Sequence, residues 1–492
     1  MESSYKQGAA FAVGAATAGK VFSFCMGLLI AWFFGAGSGT DIYFYILLTA
    51  AVLNGWLTRI NADVIVPEFM HLRQSDMRGA MDFANFFIYV YLFLAVMIVF
   101  VCFFAPAKML GLISAFPREI IAKHLIMAGL GALYFSSFFV MSFLVSLAES
   151  YKIFRIYFLA PLNALLPLIL LILTRRIEAV LAGYICAYLI QIAAALIMLR
   201  FGAGWQFTPA KPQFSKKFTN NFLFHQPNNI AWAALLYAPL FMVSSAAAGM
   251  VSAVNYSRML TDGPLDIFVD KLNNVAKVKM TTHAAARDFT AAAQTLLRTD
   301  RVILFAMIPF CVFSAVYSLD IVKLFFQRGG FTLQDARNTA AFLQIFILAL
   351  PLIAAHNNLI NYFAALRIIK EITPRYFVLA IIFTAVFIIA IAKLGAFAYP
   401  AVFLALYLAL MFMNIFTAAQ FAPSANYGRH MLRALKLLLL SIAACAAVYI
   451  CCGNYFESSF LNLLLNGSLF VALNTALLFV AGCIKQFKQD LG

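Results

Sequence analysis

The stretch from residue 375 to 420 reads RYFVLAIIFTAVFIIAIAKLGAFAYPAVFLALYLALMFMNIFTAAQ. It consists of two apolar runs, 375–394 and 397–420, and neither run contains an acidic side chain. A helix needs about 20 apolar residues to cross the hydrocarbon of a bilayer, so each run is long enough for one crossing. The stretch therefore predicts two adjacent membrane-spanning helices.

Segments of the same kind recur along the whole chain, which is 64% hydrophobic and only 11% charged. A water-soluble protein could not cover that much apolar surface, whereas lipid accepts it. We therefore predict an all-α polytopic membrane protein with about 14 transmembrane helices. The predicted spans are 9–34, 41–66, 82–105, 121–148, 154–174, 179–201, 222–247, 249–275, 302–325, 339–366, 375–394, 397–420, 432–452 and 460–484.

The basic residues between the spans fall mainly on one side of the membrane. When the connecting segments are numbered alternately from the N-terminus, the first side collects 23 of the 35 Lys and Arg residues and the opposite side 9. Positive charge is retained on the cytoplasmic side, so we expect both termini, the link 202–220 and the segment 276–300 to be cytoplasmic. The same asymmetry accounts for the net charge of +16. No nucleic-acid partner is expected, because no basic face with interleaved aromatic residues lies outside the spans.

The sequence lacks the motifs of common hydrolases and metal proteins. No G-x-S-x-G, H-E-x-x-H or P-loop is present, so we expect neither an enzyme nor ATP hydrolysis. The eight cysteines have no metal-binding or redox spacing, and His225 and His356 have no ligand-spaced neighbours, so we expect no metal and no cofactor. The first apolar segment is too long for a signal peptide and is predicted to be retained as a span.

The chain reads as two related halves followed by a helix pair. The segment 67–87, PEFMHLRQSDMRGAMDFANFF, resembles the segment 278–298, VKMTTHAAARDFTAAAQTLLR, since both are basic and amphipathic and lead into an aromatic span. Repeats of this kind are common in transporters, whose substrate sites lie between the halves. We predict an N-terminal lobe at 1–205, a C-terminal lobe at 206–425 and a C-terminal helix pair at 426–492.

Lys20 lies about 12 residues into the first span, roughly 18 Å at 1.5 Å per residue and near the bilayer middle. The run GAAFAVGAATAGK, residues 8–20, is rich in small residues and suits tight helix packing. Packing explains the small residues but not the Lys, because a charge at this depth is costly and no acidic residue lies one turn away on its helix. We therefore expect Lys20 to face a water-filled cavity that receives an anion.

Charged residues follow one face of the eighth span at intervals of four: Arg258, Asp262, Asp266 and Asp270. Gly263 and Pro264 interrupt this face and predict a kink or a local opening of the helix. One interpretation is an Arg258–Asp262 ion pair that only stabilises the helix. The other is a substrate site in which Arg258 lines the cavity and Asp262 sets its orientation.

Further polar residues in the spans allow both a structural and a functional interpretation. Arg59 and Asp63 lie four apart near the cytoplasmic edge, where an interfacial ion pair would explain both. Asp41 opens the second span, where capping of a helix N-terminus would be enough to explain it. The clusters HQPNN at 225–229 and HNNLIN at 356–361 are suited to sugar hydroxyls or to bonds between helices. On the functional interpretation, the substrate-binding residues are Lys20, Asp41, Arg59, Asn228, Asn229, Arg258, Asp262 and Asn357.

Several motifs resemble the peptidoglycan lipid II flippase family of the MviN/MurJ type: FFGAGSGTDIYF (33–44), VIVPEF (64–69), VNYSRMLTDGPLDIF (254–268) and FQRGGFTLQDARNTA (326–340). The resemblance covers essentially the whole chain and includes two spans beyond a twelve-span core. It implies a two-lobed helical bundle with a central cationic cavity in the bacterial cytoplasmic (inner) membrane. It also implies outward transport, by alternating access, of an undecaprenyl-pyrophosphate-linked glycan. Membrane lipids and glycan-assembly enzymes are the implied partners.

The chain departs from the family pattern in its cations. The family's first span carries an Arg at the position of Lys20 and usually a second Arg followed by an acid, where this chain has Met26 and Gly27. In the eighth span, the family's Asp-Arg pair aligns with Arg258 and Met259, which displaces the Arg by one residue. Compared with the family, this chain has fewer cations in the predicted cavity. This favours another lipid-linked glycan, such as an O-antigen, capsule or exopolysaccharide unit, over lipid II.

Two other functions fit the sequence less well. A drug/cation antiporter of the same multidrug/oligosaccharidyl-lipid/polysaccharide exporter superfamily would rest on carboxylates and aromatic residues rather than on a deep Lys. A membrane glycosyltransferase or polymerase would need a large external loop with paired charged residues, and the predicted outer loops are all short. Lys20 and Arg258 supply the fixed cations that a pyrophosphate needs, so a flippase for a lipid-linked glycan is the main prediction.

Overall fold

The computed structural model describes residues 2–208, 214–421, 426–453, 455–456 and 458–483. Within these ranges it describes every side chain except those of residues 2–13, 15–18, 225 and 267. Part of the predicted link, at 209–213, and the side chain of His225 therefore lie outside the described residues. The described chain is helical and contains no strand, as the long apolar runs predict.

In the described part of the chain, ten α-helices precede residue 250 and nine begin at or after it. The first ten are α1 (Glu2–Phe34), α2 (Ser38–Ile60), α3 (Val66–Ser75), α4 (Met77–Phe104), α5 (Pro106–Ile113), α6 (Arg118–Lys123), α7 (Leu125–Ser150), α8 (Leu162–Thr174), α9 (Ile177–Gly202) and α10 (Lys216–Val243). The rest are α11 (Met250–Pro264), α12 (Asp270–Ala285), α13 (Phe289–Val316), α14 (Ser318–Phe326), α15 (Leu333–Ala365), α16 (Ile369–Leu394), α17 (Ala398–Phe421), α18 (Tyr427–Cys452) and α19 (Ser459–Val480).

Eleven helical segments in the described part of the chain are long and apolar enough to cross a membrane. The other three predicted spans coincide with α1, α10 and the α11–α12 segment. These are the helices that carry Lys20, the Asn228–Asn229 pair and Arg258. Among the described side chains, the apolar part of α1 is limited to Gly19–Phe34, and residues 225 and 267, in the other two segments, are among those whose side chains are not described. The predicted all-α polytopic membrane fold is confirmed, whereas the count of fourteen spans stays a prediction.

The chain forms two compact units, Met1–Ser252 and Ala253–Gly492. In the first unit, α7 packs against α2, α4 and α9, and α10 packs against α2. In the second unit, α13 and α15 pack together, α15 also packs against α12 and α17, and α18 packs against α13 and α19. The division into lobes at 205 and 425 is not tested by this packing and stays a prediction.

A pair of buried polar side chains in the first unit joins α4 to the chain beyond α9. The indole Nε1 of Trp205, which is fully buried, donates to Asn85 Oδ1 at 2.7 Å. The amide of Asn85 in turn donates to the carbonyl of Gln206 at 2.7 Å. Leaving a buried polar group without such a partner costs about 1–3 kcal/mol of stability. These two hydrogen bonds therefore hold the chain just beyond α9 against α4.

Candidate functional site

The charged pair of α11 forms as predicted. Arg258 Nε lies 3.5 Å from Asp262 Oδ2, one helical turn away, and the two side chains are 31% and 49% exposed. Neither group is sealed inside the protein, so both charges remain accessible at the surface of this helix.

Aromatic side chains of α17 surround the guanidinium of Arg258. Its Cζ lies 5.8 Å from the ring centroid of Phe403, and the hydroxyls of Tyr399 and Tyr407 are close enough to interact with its charge. Tyr399, Phe403 and Tyr407 are spaced by four residues and share one face of α17. A guanidinium carries five N–H donors, and Asp262 and Tyr399 engage only part of them. The remaining donors can bind an anion such as a diphosphate.

The helix that carries Arg258 opens into a π-helical segment, Leu265–Val269, directly after Pro264. This confirms the irregularity predicted at Gly263 and Pro264. A second π-helical segment, Asn61–Ile65, follows directly after the end of α2 at Ile60. Both segments lie beside a charged pair of the sequence, and π-helical turns are frequent at functional sites.

Asp41 caps a helix other than its own. Its Oδ2 accepts a hydrogen bond from the backbone N–H of Gly249 at 2.6 Å, and its Oδ1 accepts from the N–H and hydroxyl of Ser252 at 2.7 and 2.6 Å. The first turn of α2 is already closed by Thr40, whose hydroxyl accepts from Gly37 N–H at 2.8 Å. The capping interpretation of Asp41 therefore applies to the start of α11.

Gly249 is required for this arrangement. Its φ is +92°, a conformation that other residues rarely adopt, and a Cβ on it would lie 2.8 Å from the carbonyl oxygen of Ala36. The close approach brings the N–H of Gly249 to the carboxylate of Asp41. Asp41 thus fixes the first turn of the helix on which Arg258 lies two turns further on.

The other predicted cations are exposed. Lys20 lies on α1 and Arg59 on the last turn of α2, and both side chains are exposed. Asp63, four residues after Arg59, is exposed too, and no ion pair within 4 Å joins the two in the described structure. Residues four apart lie one above the other on a regular α-helix. Here the backbone widens into the π-helical turn that starts at Asn61, so the side chains of Arg59 and Asp63 do not meet. The interfacial ion pair considered for Arg59 is therefore absent.

The uncharged clusters divide into exposed and buried members. Asn228 Oδ1 and Asn229 Nδ2, both on α10, are buried atoms that have no hydrogen-bond partner among the described groups. Asn357 is exposed on α15. Its neighbour Asn358 is buried and donates to the carboxylate of Asp300 on α13 at 2.6 Å, which is a bond between helices.

The structure brings together some of the predicted site residues. Arg258 and Asp262 pair on α11, and Asp41 holds the start of that helix through residues of the first unit. Lys20, Arg59, Asn228 and Asn229 lie in the first unit and Asn357 in the second. Among the described residues, no group of three or more His, Cys, Asp or Glu side chains is arranged to hold a metal ion.

Sequence reasoning singled out the cluster at 356–361, which contains His356 and Asn358, but missed the partners of these two residues on other helices. One set of hydrogen bonds joins Asp300 to Asn358 and to the hydroxyl of Tyr427 at the start of α18. The other set joins His356 to Asn414 and Tyr376. An ionisable residue inside an apolar helix was the available signal for His356, whereas its partners lie on other helices at no recognisable spacing.

A family model supports the assignment of the whole chain. Residues 30–474 match the model of the family described as lipid II flippase MurJ. A curated relative, the probable lipid II flippase MurJ of Borreliella burgdorferi, is 24% identical over 419 residues, which cover 80% of this chain and 78% of that protein.

Solved structures show the same fold. A lipid II flippase MurJ in an inward closed conformation matches with a TM-score of 0.78 at 15% identity, covering 96% of this chain and 98% of that one. An inward-facing multidrug resistance MATE family transporter of the MOP superfamily matches with a TM-score of 0.59 at 12% identity, covering 85% and 95% of the two chains. The chain belongs to the lipid II flippase MurJ family, whose members are multi-pass transporters of the bacterial inner membrane and not enzymes.

Proposed function

We propose that this protein moves an undecaprenyl-pyrophosphate-linked glycan from the cytoplasmic to the outer leaflet by alternating access. The observation that carries the proposal is Arg258, a partly exposed guanidinium on a helix that begins in apolar sequence. A charged side chain in the centre of a membrane helix costs about 2.5–3.5 kcal/mol on insertion scales, so one that persists there marks a site or pathway. A diphosphate carries the charge and the acceptor oxygens that a guanidinium fork binds best.

The remaining predicted site residues have distinct roles in this proposal. Lys20 and Arg59 are exposed cations of the first unit and are suited to the pyrophosphate. Asp262 holds the guanidinium of Arg258 in one orientation, and Asp41 holds the first turn of its helix. The partnerless amide atoms of Asn228 and Asn229 are suited to sugar hydroxyls, which would remove the cost of burying them. Asn357, exposed on α15, would serve the same purpose.

The orientation and the partners belong to the same proposal. The excess of Lys and Arg on one side of the spans supports cytoplasmic termini. The glycan would then be taken from the enzymes that assemble it at the cytoplasmic face. The exposed apolar side chains of α16 and α19 are suited to lipid contact, as in any helix at the surface of a membrane protein.

The identity of the glycan divides the proposal into two arms. The family is described as that of the lipid II flippase MurJ, which favours lipid II. Met26 and Gly27 stand where the resemblance implies a further Arg and an acid, which favours a glycan other than lipid II. We therefore infer that the protein recognises the undecaprenyl pyrophosphate that both kinds of glycan lipid share. Other residues would then set its preference for one sugar.

Reconstitution of the purified protein in liposomes tests the proposal. Fluorescent lipid II and a fluorescent undecaprenyl-pyrophosphate O-antigen unit would be placed in the inner leaflet, and their arrival outside would be followed with an impermeant quencher. We expect movement of one or both probes above that of empty liposomes. Movement of a cationic dye, with neither glycan lipid moved, would instead support the drug/cation antiporter.

A further inference from the structure

The start of α18 carries an exposed basic face. Arg429, Arg433 and Lys436 are spaced by four and three residues, which places them on one side of the helix, and all three side chains are exposed. The sequence contains no acidic residue between Glu371 and Glu457. The positive charge of this face is therefore not balanced by any carboxylate on α17 or α18.

Exposed apolar side chains lie directly beside the basic face. Leu432, Leu435 and Leu439 are exposed and follow one side of α18 at intervals of three and four residues. Leu432 and Leu435 each precede a basic residue, so the leucine stripe adjoins the basic face along the helix. The stripe continues at Leu439, further into the predicted span. A molecule that combines an anionic group with an apolar chain would match both sides at once.

The basic face extends to the end of the neighbouring helix. Nζ of Lys436 donates a hydrogen bond to the backbone carbonyl of Ala481 at 3.1 Å, directly after the last residue of α19. Phe479 and Val480, in the last turn of α19, are exposed. Exposed apolar side chains of two packed helices are therefore close to the same cation.

A buried ring at the start of α18 adds a donor without an acceptor. His430 is 6% exposed, and neither ring nitrogen has a hydrogen-bond partner among the described groups. The guanidinium groups of Arg433 and of Arg301, on the adjacent α13, are close enough for their charges to act on this ring. Asp300, next to Arg301 in the sequence, is buried and already accepts hydrogen bonds from two other side chains. This end of α18 is thus rich in positive charge and short of acceptors.

We propose that the start of α18 binds the phosphate group of an anionic phospholipid in the cytoplasmic leaflet. Guanidinium and ammonium groups bind phosphate oxygens, and basic clusters at the cytoplasmic ends of membrane helices bind anionic lipid headgroups. The acyl chains would lie along the leucine stripe. The predicted spans place this end of α18 on the cytoplasmic side, as the asymmetry of Lys and Arg requires.

The asymmetry of basic residues between the two sides of a membrane does not by itself produce this arrangement. It explains why cations occur at a cytoplasmic helix end, but not why they form one stripe beside exposed leucines. Lys436 lies seven residues beyond Arg429, which is about 10 Å along the axis at 1.5 Å per residue. The stripe therefore follows the helix into the depth at which a lipid headgroup meets its acyl chains.

Lipid binding by the purified full-length protein tests the site. Phosphatidylglycerol and phosphatidylcholine with identical acyl chains would be titrated in detergent, and bound lipid would be counted by native mass spectrometry. We expect the wild type to bind phosphatidylglycerol about tenfold more tightly than phosphatidylcholine, and Arg429→Gln/Arg433→Gln/Lys436→Gln to lose this preference. An unchanged preference in the triple variant would overturn the proposal.

A matched variant separates the site from the overall charge of the protein. Lys277→Gln/Lys279→Gln/Arg287→Gln removes three exposed cations from another segment that is predicted to be cytoplasmic. This control should keep the preference for phosphatidylglycerol. An equal loss of preference in both triple variants would show that net charge alone attracts the lipid, and would overturn a site on α18.

Thermal unfolding of the wild type distinguishes a lipid from a free phosphate and requires no variant to fold. A ligand that binds only the folded protein raises its melting temperature. We expect phosphatidylglycerol to raise the melting temperature more than phosphatidylcholine does, and glycerol phosphate, which has no acyl chains, to leave it unchanged. Equal rises with glycerol phosphate and phosphatidylglycerol would show that the acyl chains contribute nothing, and would overturn the assignment to a lipid.

Discussion

The carboxylate of Asp41 accepts two hydrogen bonds from Ser252, from its backbone N–H at 2.7 Å and from its hydroxyl at 2.6 Å. Asp41 is 2% exposed, so the charge is buried and depends on these donors. The N-terminus of a helix carries partial positive charge, which adds to the stabilisation of a carboxylate placed there. A residue at the start of α2 thereby fixes the start of the helix that carries Arg258.

Replacement of this carboxylate should weaken the protein. We expect Asp41→Asn to lower the free energy of unfolding by about 1–3 kcal/mol, since an amide presents only one acceptor oxygen to the donors of Gly249 and Ser252. Ser252→Ala should cost less, because the backbone N–H still reaches Asp41. Thermal unfolding of the purified variants in detergent measures both. Equal melting temperatures for Asp41→Asn and the wild type would show that the cap does not stabilise α11.

Removal of the deep cation of α1 should stop transport without unfolding the protein. We expect Lys20→Ala to reach the membrane in normal amounts and to lose flipping of the glycan lipid. Lys20→Arg should retain part of the activity, because the charge remains while the compact ammonium geometry is lost. Lys393→Ala, an exposed Lys near the end of α16, is the matched control and should behave as the wild type. Normal flipping by Lys20→Ala would show that this cation is dispensable.

The orientation of the chain predicts which positions impermeant reagents reach. In a cysteine-free background, Arg287→Cys and a Cys at 211 should resist labelling from outside intact cells, since both lie in segments predicted to be cytoplasmic. Position 211 is outside the described residues, and Arg287 is exposed. Gly330→Cys, in a predicted outer segment, serves as the labelled control. Strong labelling at 211 or 287 would reverse the topology.

The membrane fold could be predicted from the sequence because it depends on local composition. Runs such as 375–394 and 397–420 form the helices α16 and α17 because lipid requires every backbone hydrogen bond to be made within the segment. The pair of Arg258 and Asp262 was predictable for the same reason, since residues four apart meet on a regular helix.

The contacts that position the site could not be predicted in the same way. Asp41 and Ser252 are separated by 211 residues, and nothing in the sequence around either identifies the other. Arg59 and Asp63 have the spacing of an ion pair, yet the π-helical turn between them breaks the register that the prediction assumes. The partners of His356 depend on the packing of three helices, which periodicity within one helix does not specify.

The charged pair on α11 provides the most direct measurement of the proposed site. The double variant Arg258→Leu/Asp262→Leu removes both charges together, and apolar replacement of a pair that is only structural is often tolerated. Its transport of fluorescent lipid II and of the O-antigen probe would be compared with the wild type in liposomes that contain equal amounts of folded protein. We expect the wild type to move at least one glycan lipid and the double variant to move neither. Transport of the same probe at the wild-type rate by the double variant would contradict a substrate-binding role for Arg258.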